Sequence, residues 1–96
     1  MPSAKMIHNK LPAALKAARA ARGLTQEDFG LVSSRTYLST LERGIQSPTL
    51  AKIEQLAQRL KMHPLTLLTM AYAESSRPED VQEIQKLVSR EILELS

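Results

Sequence analysis

An all-α fold is expected for this chain of 96 residues, on three observations. Only Phe29, Tyr37 and Tyr72 are aromatic, so a core must be built from Leu, Ile, Ala and Met, which suits packed helices better than a sheet. Apolar residues recur three and four apart through most of the chain, as on one face of a helix. The segments are also punctuated by helix-end residues: Thr25 and Ser34 before, Gly23 and Gly44 after, Pro64 and Pro78 in first turns. With 43% hydrophobic residues, the chain is large enough for one core and too small for two domains.

Residues 1–10 lack periodicity and are expected to form a flexible arm. An alanine-rich helix follows at about residues 11–22, with Leu11, Ala14, Leu15 and Ala18 on one face and Lys16 and Arg22 pointing outward. Thr25, with Asp28 three residues on, caps a second helix anchored by Phe29; acids in its first turn suit the helix dipole. In the third, Leu38 and Leu41 share the buried face, while Arg35, Thr36, Ser39, Thr40 and Arg43 make a short-chained, positively charged outer one. Ser34 caps its start and Gly44 ends it. Ser47-Pro48 reads as the cap and first residue of a fourth helix to about Leu60, with Leu50, Ile53, Leu56, Ala57 and Leu60 inward.

Pro64 opens a fifth helix through about Tyr72, whose Leu65, Leu67, Leu68 and Met70 are too many apolar residues to leave in water. A polar linker from Glu74 to Pro78 follows, with Ser76 and Glu79 spaced as a capping box. A final helix to about Leu95 carries Val81, Ile84, Val88 and Leu95 on one stripe, widened by Leu87 and Ile92. That stripe must be buried on its own domain or on a second chain, and dimerisation is favoured.

Net charge is +3, unevenly spread: residues 1–62 hold ten Lys/Arg against four acids, and residues 63–96 hold three against six. The basic part contains the third helix, and a positive field attracts polyanions. A short helix with two apolar anchors and a small, basic outer face suits an element lying in a DNA major groove.

The same residues carry a resemblance. Leu38-Ser39-x-Leu41-Glu42-Arg43-Gly44-x-x-x-Pro48, with Arg19-x-x-Arg22-Gly23-Leu24-Thr25-Gln26-Glu27 upstream, closely resembles the Xre/Cro-type, lambda-repressor-like helix-turn-helix regulators. The likeness spans about residues 11–73 and implies a five-helix DNA-binding domain, with residues 74–96 added as linker and C-terminal amphipathic helix. It implies base reading by Arg35, Thr36 and Thr40 with Ser34 and Ser39 adjacent, and phosphate contacts from Gln26, Arg43, Thr49 and Lys52. Arg35 is the first choice for a base contact, since a guanidinium bonds both O6 and N7 of guanine. Tyr37 is expected either to reach phosphate through its hydroxyl or to pack on the helix flank. For Lys5, His8 and Lys10 in the arm, a disordered terminus is favoured over contact with phosphate. By the same resemblance Arg19 pairs with Glu42, tying the first helix to the third, and Gly30 lets two helices approach closely.

One departure stands out. Seven residues separate Gly30 from Leu38 where the family usually has nine, so a shortened second helix or a tighter turn through Val32-Ser33-Ser34 is expected. Lys61 stands where a helix-ending glycine is common.

The implied partners are double-stranded DNA and a second copy of the chain, with a second protein on the C-terminal helix as an alternative, as in an antitoxin or restriction-system controller. A helical interaction module without DNA binding is more distant. No enzyme is expected: His8 and His63 lie far apart with no ligand cluster, and there is no nucleophile elbow and no glycine-rich phosphate loop. No metal or cofactor is implied. The absence of cysteine and of any membrane-length apolar run leads to the expectation of a cytoplasmic protein without membrane attachment.

Overall fold

The computed structural model describes residues 9–30 and 34–96. The expectations for most of the arm and for Val32-Ser33 lie outside them. The described residues form five α-helices and one 3-10 turn: α1 (Leu11–Ala21), the turn (Gln26–Phe29), α2 (Arg35–Glu42), α3 (Leu50–Arg59), α4 (Pro64–Tyr72) and α5 (Pro78–Leu95). The expected all-α, lambda-repressor-like architecture is the one observed, with a C-terminal helix added.

Leu15, Phe29, Leu38, Leu56, Leu60 and Leu67 are fully buried, so each element from α1 to α4 sends a large apolar side chain into one core. At about 1.5–3 kcal/mol for each such side chain, this burial is the main force holding the domain together. Leu50 and Leu65 are 63% exposed, contrary to expectation. Leu50 is the first residue of α3, a turn before Ile53 enters the core, and Leu65 lies on the face of α4 away from buried Leu67 and Ala71.

Three helices end in the same way. Gly23 (φ 69°), Gly44 (φ 76°) and Lys61 (φ 58°) take the left-handed conformation. At each, that residue's N–H bonds three residues back and the next N–H bonds five back, as in Ile45 to Thr40 and Met62 to Ala57. Lys61 does without glycine what the other two do with it. Arg22 is exposed, as expected, but it is not idle: its Nε donates to the Leu60 carbonyl at 2.8 Å and one terminal nitrogen lies 3.4 Å from that of Lys61, so it closes the end of α3.

Caps correct the expected boundaries. Thr49, not Ser47, begins α3: its hydroxyl accepts from Lys52 N–H at 3.1 Å, and Pro48 stays outside the helix. At α5 the cap position is Arg77 without a side-chain bond; Ser75 takes the role given to Ser76, accepting from Arg77 N–H and donating to Asp80 at 2.5 Å. Of the expected arm, Lys10 is anchored: its N–H bonds the Ala71 carbonyl at 2.8 Å and its Nζ the Glu74 carbonyl at 2.6 Å.

The shortened second helix is a single 3-10 turn. Thr25 and Asp28 form the complete capping box around it, the Thr25 N–H donating to Asp28 Oδ2 at 2.7 Å. Those bonds hold the Asp28 carboxyl below its ordinary range. Arg59 reaches from α3 to donate to the Asp28 carbonyl at 2.9 Å and lies over the Phe29 ring. Gly30 is exposed, and an added Cβ would meet nothing closer than the Glu27 carbonyl at 3.4 Å. The close helix approach expected at Gly30 is absent because a 3-10 turn stands where a longer helix would have packed.

Candidate nucleic-acid interface

α2 is positioned from behind. Leu38 and Leu41 are buried, and Glu42, at its last turn, has a side chain only 4% exposed. A carboxylate so placed needs compensation. It receives Arg19 Nε at 2.6 Å and a second guanidinium nitrogen at 3.1 Å, while Gln26 Nε2 donates to the same Oε1 at 3.0 Å. Arg19 also donates to the Leu24 carbonyl at 2.9 Å. The Glu42 bond holds the Arg19 guanidinium above its already high ordinary value. The expected Arg19–Glu42 pair is present. Its third member, Gln26, was expected only at phosphate.

The opposite side of α2 is presented to solvent. Ser34 begins it, its Oγ accepting from Tyr37 N–H at 3.0 Å. Arg35, Thr36 and Arg43 are exposed and Ser39 half-buried, and with Gln26 these four line a shallow open depression. At i, i+4 and i+8, Arg35, Ser39 and Arg43 form a single row along the helix. The expected outer face is thus assembled on one surface.

Thr40 sits at the rim of that surface rather than on its crest. Its hydroxyl donates back to the Tyr37 carbonyl at 2.6 Å and lies 3.1 Å from Gln46 Oε1. Tyr37 is half-buried at the edge of the core, with the Lys52 ammonium over its ring at 5.6 Å. Of the two expectations for Tyr37, packing on the helix flank is therefore met by the ring. Thr49, three residues before Lys52, caps the start of α3.

Sequence reasoning did not find Glu27 beside Arg35. Its carboxylate lies 3.6 Å from the guanidinium, with both side chains about 70% exposed (69% for Arg35, 73% for Glu27). No helical spacing relates the two, because they lie on different elements. Among the described residues no group of three or more His, Cys, Asp or Glu is arranged to hold a metal ion, and no helix is long and apolar enough to cross a membrane.

A sequence model of the helix-turn-helix family matches residues 15–67, a span running from within α1 into the first turn of α4. The chain belongs to that family, in its Xre-type, lambda-repressor-like branch. An uncharacterised HTH-type transcriptional regulator, y4dJ of Sinorhizobium fredii, is 43% identical over 53 residues, covering 53% of this chain and 69% of the relative. Among solved structures, the restriction-modification controller protein C.AhdI from Aeromonas hydrophila is similar at 31% identity and a TM-score of 0.58, over 68% of this chain and 98% of its own. A hypothetical transcription factor, NHTF from Neisseria, is similar at 27% identity and a TM-score of 0.60, over 91% of each chain. Membership makes this protein a DNA-binding transcriptional regulator.

Proposed function

We propose that the regulator binds a two-fold-related operator as a homodimer and reads it with α2. The observation that carries this is the row of Arg35, Ser39 and Arg43 with Thr36 on an open face, while the other side of the same helix is locked to α1 through Glu42. One short helix reads few base pairs, and two-fold symmetry doubles them. Arg35 reads a guanine edge; Ser34, Thr36, Ser39 and Thr40 complete the base-facing set. Gln26, Tyr37, Arg43, Thr49 and Lys52 bond phosphates and set register without carrying sequence information. Residues 11–73 are the binding unit and residues 74–96 the pairing segment. No cofactor or catalysis enters this role, and its place is the cytoplasm.

Selection from random duplexes, followed by titration of the selected site at several salt concentrations, tests the reading. Affinity should fall steeply with salt and exceed that for random DNA by a factor of about 10³ or more. No preferred site, or binding indifferent to salt, would overturn it. Likeness to C.AhdI favours a second reading, the controller of a restriction system. A selected site recurring upstream of an adjacent restriction gene would support it.

A further inference from the structure

α5 leaves the domain as a half-covered rod. None of its 18 residues is buried, and the element it packs against is α4. Coverage fades along its length: Val81 and Ile84 are half-buried, then Leu87 is 37% exposed, Val88 47%, Ile92 60% and Leu95 87%. Such a stripe is destined for a partner surface.

Its spacing identifies the partner. Val81, Ile84, Val88, Ile92 and Leu95 follow at steps of three, four, four and three. At about 100° per residue these five lie within an arc of about 80°, while Glu79, Glu83, Lys86 and Arg90 fall on the far side. The series reads the same in both directions from Val88. A two-fold rotation there sets Val81 against Leu95, Ile84 against Ile92 and Val88 against itself, the self-complementarity an isologous contact requires.

The direction follows from coverage and charge. Side by side in parallel, the bare ends would meet each other and the starts would compete with α4. Antiparallel, each bare end lies on the half-covered start of the other, Glu91 is level with Gln85, and the helix dipoles oppose. Leu87, on one flank, approaches its copy beside the axis.

We propose that a second copy of this chain covers α5, antiparallel along residues 81–95, with Val88 on the two-fold axis. This rests on the homodimer reading above and gives it a surface and a register.

The chain has no cysteine, so introduced thiols report position directly. Oxidised Val88→Cys should become a covalent dimer in high yield, and a mixture of Ile84→Cys with Ile92→Cys should link to each other rather than to themselves. Light scattering should give the wild type twice the 10.7 kDa chain mass and Val88→Glu the single mass, with helical circular dichroism retained. Self-linking of Ile92→Cys without the mixed product would overturn the antiparallel register. A wild-type dimer that Val88→Glu leaves intact would overturn the α5 surface while the homodimer reading stands. A wild-type monomer, or a complex in which a different protein covers α5, would overturn both.

Discussion

Arg19 and Glu42 meet through two hydrogen bonds, 2.6 and 3.1 Å long, joining the last turn of α1 to the last residue of α2. Both are largely withdrawn from water, at 16% and 4% side-chain exposure, so neither charge is easily left alone. Replacing Arg19 by Ala strands the carboxylate with Gln26 as its remaining side-chain donor. We expect Arg19→Ala to destabilise the domain by about 3 kcal/mol. Adding Glu42→Gln to it should recover part of that loss, a coupling measurable by denaturant unfolding in a double-mutant cycle. Strictly additive losses would mean that the pair does not act as a unit.

Arg35→Ala is expected to lower operator affinity by about 1–3 kcal/mol and to relax preference at one base pair. Glu27→Gln should act in the opposite sense on non-specific DNA, because it removes an exposed negative charge that repels phosphate beside α2. Titrations on operator and random duplexes separate the two effects; equal losses from Arg35→Ala on both would remove it from base reading.

Lys52 should carry electrostatics alone. Its removal is expected to weaken binding to all sequences alike and to flatten the plot of log K against log salt by about one unit. An unchanged slope would count against a phosphate contact at Lys52.

Lys61 holds a left-handed conformation at the end of α3. A side chain there costs about 1–2 kcal/mol, more than the roughly 0.4–1 kcal/mol of extra unfolded-chain freedom that glycine brings. Lys61→Gly should therefore raise stability by about 1 kcal/mol in thermal or denaturant unfolding. The carbonyls that Arg22 holds are backbone and persist in the variant.

Asp28 gives the domain an acid-sensitive contact. Its folded pKa is depressed by the Thr25 N–H and hydroxyl, so its contribution is present above the unfolded value of about 3.9 and is lost as pH falls through the lower folded value. Melting temperatures taken from pH 5 downward should fall less steeply for Asp28→Asn than for the wild type. Asp80, depressed by Ser75 and Arg77, keeps part of the slope in both.

Helices and their inward faces were largely readable because periodicity and caps are local: α4 begins at Pro64 and ends at Tyr72 as its sequence implies. The Arg19–Glu42 pair was readable only through family resemblance, since nothing local relates positions on different elements. What stayed hidden depends on tertiary placement. Arg22 looks like any surface arginine until the end of α3 arrives beside it. Leu50 and Leu65 fit an apolar face by type, and are exposed because no neighbouring element reaches them. Ser47 and Ser76 were plausible caps, but Thr49 and Ser75 offered better-placed oxygens within two residues.

The attachments of α2 are unequal along its length. Leu41 and Glu42 clamp the far end into the core and onto α1, whereas Arg35, at the near end, is exposed beside the Ser34 cap and the equally exposed Glu27 carboxylate. The helix is thus built as a cantilever whose tip is the end proposed to probe DNA. Substitutions around its root would cost folding, while those just ahead of Arg35 would re-aim the tip and leave the fold intact, so new target preferences have a route that bypasses the core.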